Sequence, residues 1–71
     1  MTYNGIYKIT NKLTNKIYIG QSRNITNRWQ EHIDSAFDNS RSSYNYPLQK
    51  DIRKYGISNF YFEILETDIY D

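Results

Sequence analysis

The chain has 71 residues, no cysteine, one histidine and a formal net charge of +1. Disulfides, thiolate metal sites and histidine-rich zinc clusters are excluded by that composition, and near-neutrality excludes a protein that grips nucleic acid through bulk positive charge. A domain this small buries only about 60% of the surface its unfolded chain exposes, so its core must come from apolar side chains and from its eight tyrosines, three phenylalanines and one tryptophan.

Gly5 to Thr10 reads GIYKIT and Lys16 to Ser22 reads KIYIGQS. Both runs mix β-branched with aromatic residues and flank the polar, turn-prone Asn11-Lys12-Leu13-Thr14-Asn15, which predicts a hairpin. With an even loop, for example the four residues Asn11 to Thr14, Thr10 pairs with Asn15 and Tyr7 lies opposite Tyr18. Both phenols then share one face of the sheet, and a slip of one residue would separate them.

A helix follows, capped by Asn24 or Thr26, whose short polar side chains accept from free backbone N–H groups. Ile25, Trp29, Ile33, Ala36 and Phe37 recur at helical spacing and form its buried stripe. Arg28 and His32 are four apart and sit one above the other on an adjoining flank. Asp38 to Tyr46 (DNSRSSYNY) is a polar surface loop. Pro47 suits the first turn of a second helix with the stripe Leu48, Ile52 and Tyr55, and Gly56 stops it. Asn59 to Glu66 (NFYFEILE) is a third strand with Phe60, Phe62 and Ile64 on one face, while Glu63 and Glu66 face water. The fold class is α+β: a small three-stranded antiparallel sheet flanked by helices, in the order β-β-α-α-β, forming a single domain over residues 1–71.

A tyrosine pair on one sheet face beside Arg28 and His32 suits phosphodiester chemistry. A guanidinium binds phosphate in a forked, charge-assisted way. Tyrosine or histidine can move a proton to or from an attacking water or a leaving oxygen, and a metal ion held by carboxylates offsets the crowded negative charge. On pattern alone the bland readings compete: paired hairpin tyrosines serve cross-strand packing more often than catalysis, and helix arginines and histidines are mostly solvated. The residues by themselves support a small α+β domain with a possible phosphate site.

Gly5-Ile6-Tyr7 and Tyr18-Ile19-Gly20, with ten residues between the two tyrosines, resemble the GIY-YIG nuclease family. The similarity continues in order through Gln21-Ser22, Asn24, Asn27-Arg28-Trp29, His32, Leu48-Gln49, Arg53-Lys54-Tyr55-Gly56, Asn59-Phe60 and Phe62-Glu63-Ile64-Leu65-Glu66. It most resembles the homing-endonuclease and phage-type branch. The resemblance implies a DNA endonuclease domain that hydrolyses phosphodiester bonds with a divalent metal ion, magnesium by expectation. Tyr18 would act as general base or position the attacking water, and Tyr7 would orient the site. Arg28 would hold the scissile phosphate, and His32 would assist proton transfer or bond the phosphate. Gly20, Arg23 and Asn24 are the expected substrate-binding positions, Gly20 because it lets backbone come close where a side chain would obstruct.

The family carries a metal-binding glutamate on a helix after the third strand. Glu66 is not that residue by position, and Asp68 and Asp71 fall too early. The expectation is a C-terminally incomplete domain lacking the final family helix, with little cleavage by this polypeptide alone. It would be an excerpt of a longer nuclease, a natural short form, or a chain completed by a second copy. Expected partners are DNA, a separate DNA-binding module in the parent protein, and a further copy of the chain through uncovered sheet surface. A non-catalytic nucleic-acid-binding or assembly module is the competing function. No stretch is apolar enough to span a membrane and no leader opens the chain, so a cytoplasmic location is expected.

Overall fold

A computed structural model describes residues 3–69. Asp71, weighed above as a metal ligand, lies outside the described residues. Three strands, β1 (Gly5–Asn11), β2 (Ile17–Ser22) and β3 (Phe60–Thr67), and two helices, α1 (Ile25–Phe37) and α2 (Pro47–Tyr55), follow in the expected order, with a short 3-10 turn at Ile57–Asn59 leading into β3. The sheet order is β2-β1-β3, antiparallel on both sides of β1. The first strand is therefore central, and the last strand returns beside it rather than beside the second.

Strand β1 alternates strictly, with Gly5, Tyr7, Ile9 and Asn11 buried. On β3 the partners of Tyr7, Ile9 and Asn11 are Ile64, Phe62 and Phe60, so all three apolar residues foreseen on one face of that strand turn toward the helices. Ile25 and Ala36 of α1 and Leu48 and Ile52 of α2 close the core. Ile9, Ile25 and Ile52 are fully buried, and each such side chain contributes about 1.5–3 kcal/mol relative to exposure. One position departs from the predicted stripe. Phe37 is 61% exposed, because the helix ends there and turns into the loop before the side chain meets the sheet.

The hairpin register also departs. The last paired residues of β1 and β2 are Thr10 and Ile17, not Thr10 and Asn15; Tyr7 faces Gly20, and Tyr18 faces Ile9. The cause is the buried Asn11, whose side-chain oxygen accepts from the backbone N–H groups of Leu13 (2.9 Å) and Thr14 (3.3 Å). Such an Asx turn substitutes for a tight hairpin turn. Asn15 then adopts φ 64, a left-handed conformation that asparagine tolerates. The shift is by two residues, so the parity argument survives: both tyrosines lie on the inner face, as diagonal neighbours rather than opposed partners.

Asn24 is the cap of α1; its side-chain oxygen accepts from the N–H of Asn27 at 3.1 Å. The loop 38–46 is held down from α2. Arg53 donates to the carbonyls of Ala36 (2.9 Å) and Tyr44 (2.7 Å) and stacks 3.7 Å over the Tyr44 ring. One guanidinium thus caps the C-terminus of α1 and sets the path of the chain into Tyr46 and Pro47. The outward sheet face stays uncovered, with Ile17, Ile19, Tyr61 and Leu65 exposed around a Lys8–Glu63 ion pair of 3.3 Å. Among the described residues no helix is long and apolar enough to cross a membrane.

Candidate active site

A cleft of about 250 Å³ opens between the β1–β2 hairpin and the start of α2, lined by Tyr7, Ile9, Tyr18, His32, Tyr46 and Gln49 among others. Tyr7 and Tyr18 reach it because both lie on the inner face. His32 reaches it because it stands on the flank of α1 that faces β1.

Tyr7 is the best-supported of these side chains. It is only 5% exposed. Its ring meets the edge of Trp29, which in turn packs edge-on against Phe62. Its underside lies on Gly20: a Cβ there would stand 2.4 Å from both the ring and the hydroxyl oxygen. What a side chain at position 20 obstructs is therefore the Tyr7 ring. The Tyr7 hydroxyl lies 2.9 Å from Nε2 of His32, and the other ring nitrogen, Nδ1, receives the side-chain amide N–H of Gln49 at 3.2 Å. Tyr18 donates its hydroxyl proton to the carboxylate of Asp51 at 2.5 Å, a length expected of a charge-assisted O–H···O⁻ bond.

Burial pushes the Tyr7 phenol upward, against the opposing pull of the Arg28 charge. Burial likewise pushes Tyr18 up, and the bond to Asp51 and its negative charge push in the same direction. Burial holds His32 below its ordinary value, and the nearby Arg28 cation adds to this. The His32 imidazole is neutral at pH 7 and both phenols are protonated.

The lowered His32 value has a consequence for stability. The unfolded chain takes up its proton near the ordinary value of 6.5, before the folded chain does. Below that pH the unfolded state binds more protons, so stability falls on acidification. The contribution is fully present above about pH 6.5 and is lost as pH drops toward the lowered folded value. Melting temperatures between about pH 7.5 and pH 5 should decline in the native chain and decline less in His32→Gln. Equal slopes in both would show that His32 is not the group responsible.

Arg28 does not line the cleft. Its side chain is about half exposed and lies 3.6 Å from Glu31, although its charge reaches both Tyr7 and His32. Asn24 spends its side-chain oxygen on the helix cap, and Arg23 is exposed just before it. The structure thus brings Tyr7, Tyr18, Gly20 and His32 together, sets Arg28 at the rim, and leaves Arg23 and Asn24 at the entrance to α1. It adds Asp51, and it adds Gln49, which the family resemblance included without a role. Gln49 precedes the core residue Ile52 by three and Asp51 precedes Tyr55 by four. Helical spacing therefore put both on the flanks of the apolar stripe.

A model of the GIY-YIG catalytic domain matches residues 3–70. The chain belongs to the GIY-YIG family. Intron-associated endonuclease 1 of Enterobacteria phage T4 is 36% identical over 67 residues, which are 94% of this chain and 26% of that protein. Probable intron-encoded endonuclease 1 of Neurospora crassa is 37% identical over 67 residues, 94% of this chain and 20% of its own length. The chain thus spans about a quarter or less of these curated relatives. The solved catalytic domain of the homing endonuclease I-TevI superposes with a TM-score of 0.75 at 34% identity, covering 96% of this chain and 71% of that one. A mutant of the same domain gives 0.79 at 33% identity, covering 97% and 68%. The three-stranded sheet and two helices are those of a GIY-YIG domain. GIY-YIG nucleases use a divalent metal ion. Among the described residues, however, no group of three or more His, Asp or Glu side chains could hold one.

Proposed function

We propose that this domain hydrolyses DNA phosphodiester bonds, with Tyr7, Tyr18, Arg28 and His32 as the residues that meet the substrate. One observation carries the reading. Two phenols and a neutral imidazole, all from elements of the GIY-YIG family, converge on one cleft with a guanidinium at its rim. Arg28 is free to exchange Glu31 for a phosphate, because a half-exposed ion pair at 3.6 Å is weak whereas a forked guanidinium–phosphate contact is strong. Tyr18 serves as a hydroxyl relay and not as a phenolate: its O–H is aimed at the Asp51 carboxylate, so its oxygen can take a proton from water as its own proton passes to that carboxylate. Affinity for DNA from this domain is weak at a net charge of +1, which fits a division of labour with a separate DNA-binding module.

The test is cleavage of plasmid DNA by the full gene product with a divalent cation. Tyr18→Phe keeps the ring and removes the hydroxyl; cleavage should fall by about 10²-fold or more with little change in melting temperature. Asp51→Asn, which cannot take the proton, should lower it in the same direction. Unimpaired cleavage by Tyr18→Phe would remove Tyr18 from the reaction. DNA binding without cleavage by the unaltered protein would leave a binding module instead.

A further inference from the structure

Gln49 is a buried polar residue, 2% exposed, in the first turn of α2. A buried amide costs free energy unless it is hydrogen-bonded, and the side-chain contact shown for Gln49 is the one to Nδ1 of His32. An amide nitrogen can only donate. Nδ1 facing it must therefore be the unprotonated, accepting nitrogen, and in a neutral ring the proton then sits on Nε2. Which ring nitrogen of a histidine holds the proton is set by the bond the other one makes.

Nε2 lies 2.9 Å from the Tyr7 hydroxyl. With the proton on Nε2, His32 donates and the Tyr7 oxygen accepts. The hydroxyl's own proton is then left to point into the cleft that Tyr7 lines. With the proton on Nδ1 the roles reverse: Tyr7 would spend its donor on His32 and could offer the cleft only an acceptor, which repels a phosphate oxygen. We infer that Gln49 is a positioning residue that holds His32 in its Nε2–H form and so makes Tyr7 a hydrogen-bond donor to an anionic oxygen bound in the cleft. The neutral state of His32 is consistent with this, since an imidazolium would carry protons on both nitrogens. Packing on Trp29 and Gly20 keeps the Tyr7 ring where that donor is useful. The tautomer stands on this geometry alone; the identity of the anion as a DNA phosphate rests on the nuclease reading above.

His32 is the only histidine of the chain, so its ring is the sole imidazole in a nitrogen-15 spectrum of the histidine-labelled protein. Two-bond proton–nitrogen correlations at pH 7.5 should show a protonated Nε2 and an unprotonated Nδ1. In Gln49→Glu the carboxylate accepts instead of donating. The proton should move to Nδ1 and the ring should titrate at higher pH. In Gln49→Met, which keeps the bulk without a donor, the two neutral tautomers should mix. A protonated Nδ1 in the unaltered chain would mean that the amide carbonyl faces the ring, and would overturn the proposal without the need for any variant. So would a ring pattern unchanged in both substitutions. In the full gene product, Gln49→Glu should reduce the maximal cleavage rate by roughly tenfold or more with KM little altered, and should displace the pH profile to the alkaline side. If the gene product cleaves no DNA at all, the nuclease reading fails while the spectrum still decides the tautomer.

Discussion

Arg28→Ala should lower DNA cleavage by the full gene product by about 10²- to 10³-fold, the loss typical when one preorganised donor to a developing negative charge is removed. The same substitution should leave the fold intact. The Arg28 side chain is about half exposed and its ion pair to Glu31 is long and solvated, so the expected change in stability is within about 0.5 kcal/mol. A second readout separates this from a non-specific effect. The Arg28 charge helps to hold His32 low and partly restrains the upward push on Tyr7. Without it the His32 ring should titrate at higher pH and the Tyr7 phenol should rise further. Cleavage kinetics, a thermal melt and the His32 titration together check the prediction. Cleavage at the unaltered rate would exclude Arg28 from phosphate binding, and a collapse of the melt would make it structural.

Gly20→Ala should damage both stability and activity, although it adds one methyl group to a half-exposed strand. That methyl would stand 2.4 Å from Cζ and Oη of Tyr7, well inside van der Waals contact. The ring has no easy retreat, because Trp29 meets it at a centroid distance of 6.1 Å and His32 bonds its hydroxyl. Forcing extra volume into such a place costs about 1–3 kcal/mol, a large part of the stability of so small a domain. If the chain folds with Tyr7 pushed aside, a displacement of about 1 Å is enough to cost on the order of 10²-fold in rate. Denaturant midpoints and the His32 ring signals report the two effects separately. Ile17→Ala, at an exposed position of the same strand on the opposite sheet face and away from the cleft, should change stability little and serves as the control. Native-like stability with unperturbed His32 signals in Gly20→Ala would contradict the close packing of Gly20 under the Tyr7 ring.

The first helix shows how far local patterns reached. Ile25, Trp29 and Ala36 pack as their spacing required, and Asn24 caps the helix as its chemistry allowed. Phe37 satisfied the same spacing and is exposed, because periodicity carries no information about where a helix runs out of sheet to cover. The hairpin is a parallel case. The shared face of Tyr7 and Tyr18 follows from an even register. The displacement of their pairing by two residues follows from the Asn11 side chain closing the turn on Leu13 and Thr14, a choice between two even loops that the run of polar residues left open.

The sequence alone determined the order and type of the elements, the apolar faces and, through the ordered GIY and YIG residues, the family. These are properties of neighbours along the chain, read at periods of two and 3.6 residues or as fixed local motifs. Tertiary structure alone decided that β3 pairs with β1 and that α2 lies over the hairpin, contacts made across long stretches of chain for which spacing offers no signal. The placement of α2, against α1 on one side and the hairpin on the other, puts Gln49 on His32 and Asp51 on Tyr18. These contacts decide which group each phenol and the imidazole can give a proton to, because the state of a polar side chain is set by the partner it meets when buried and not by its place in the sequence.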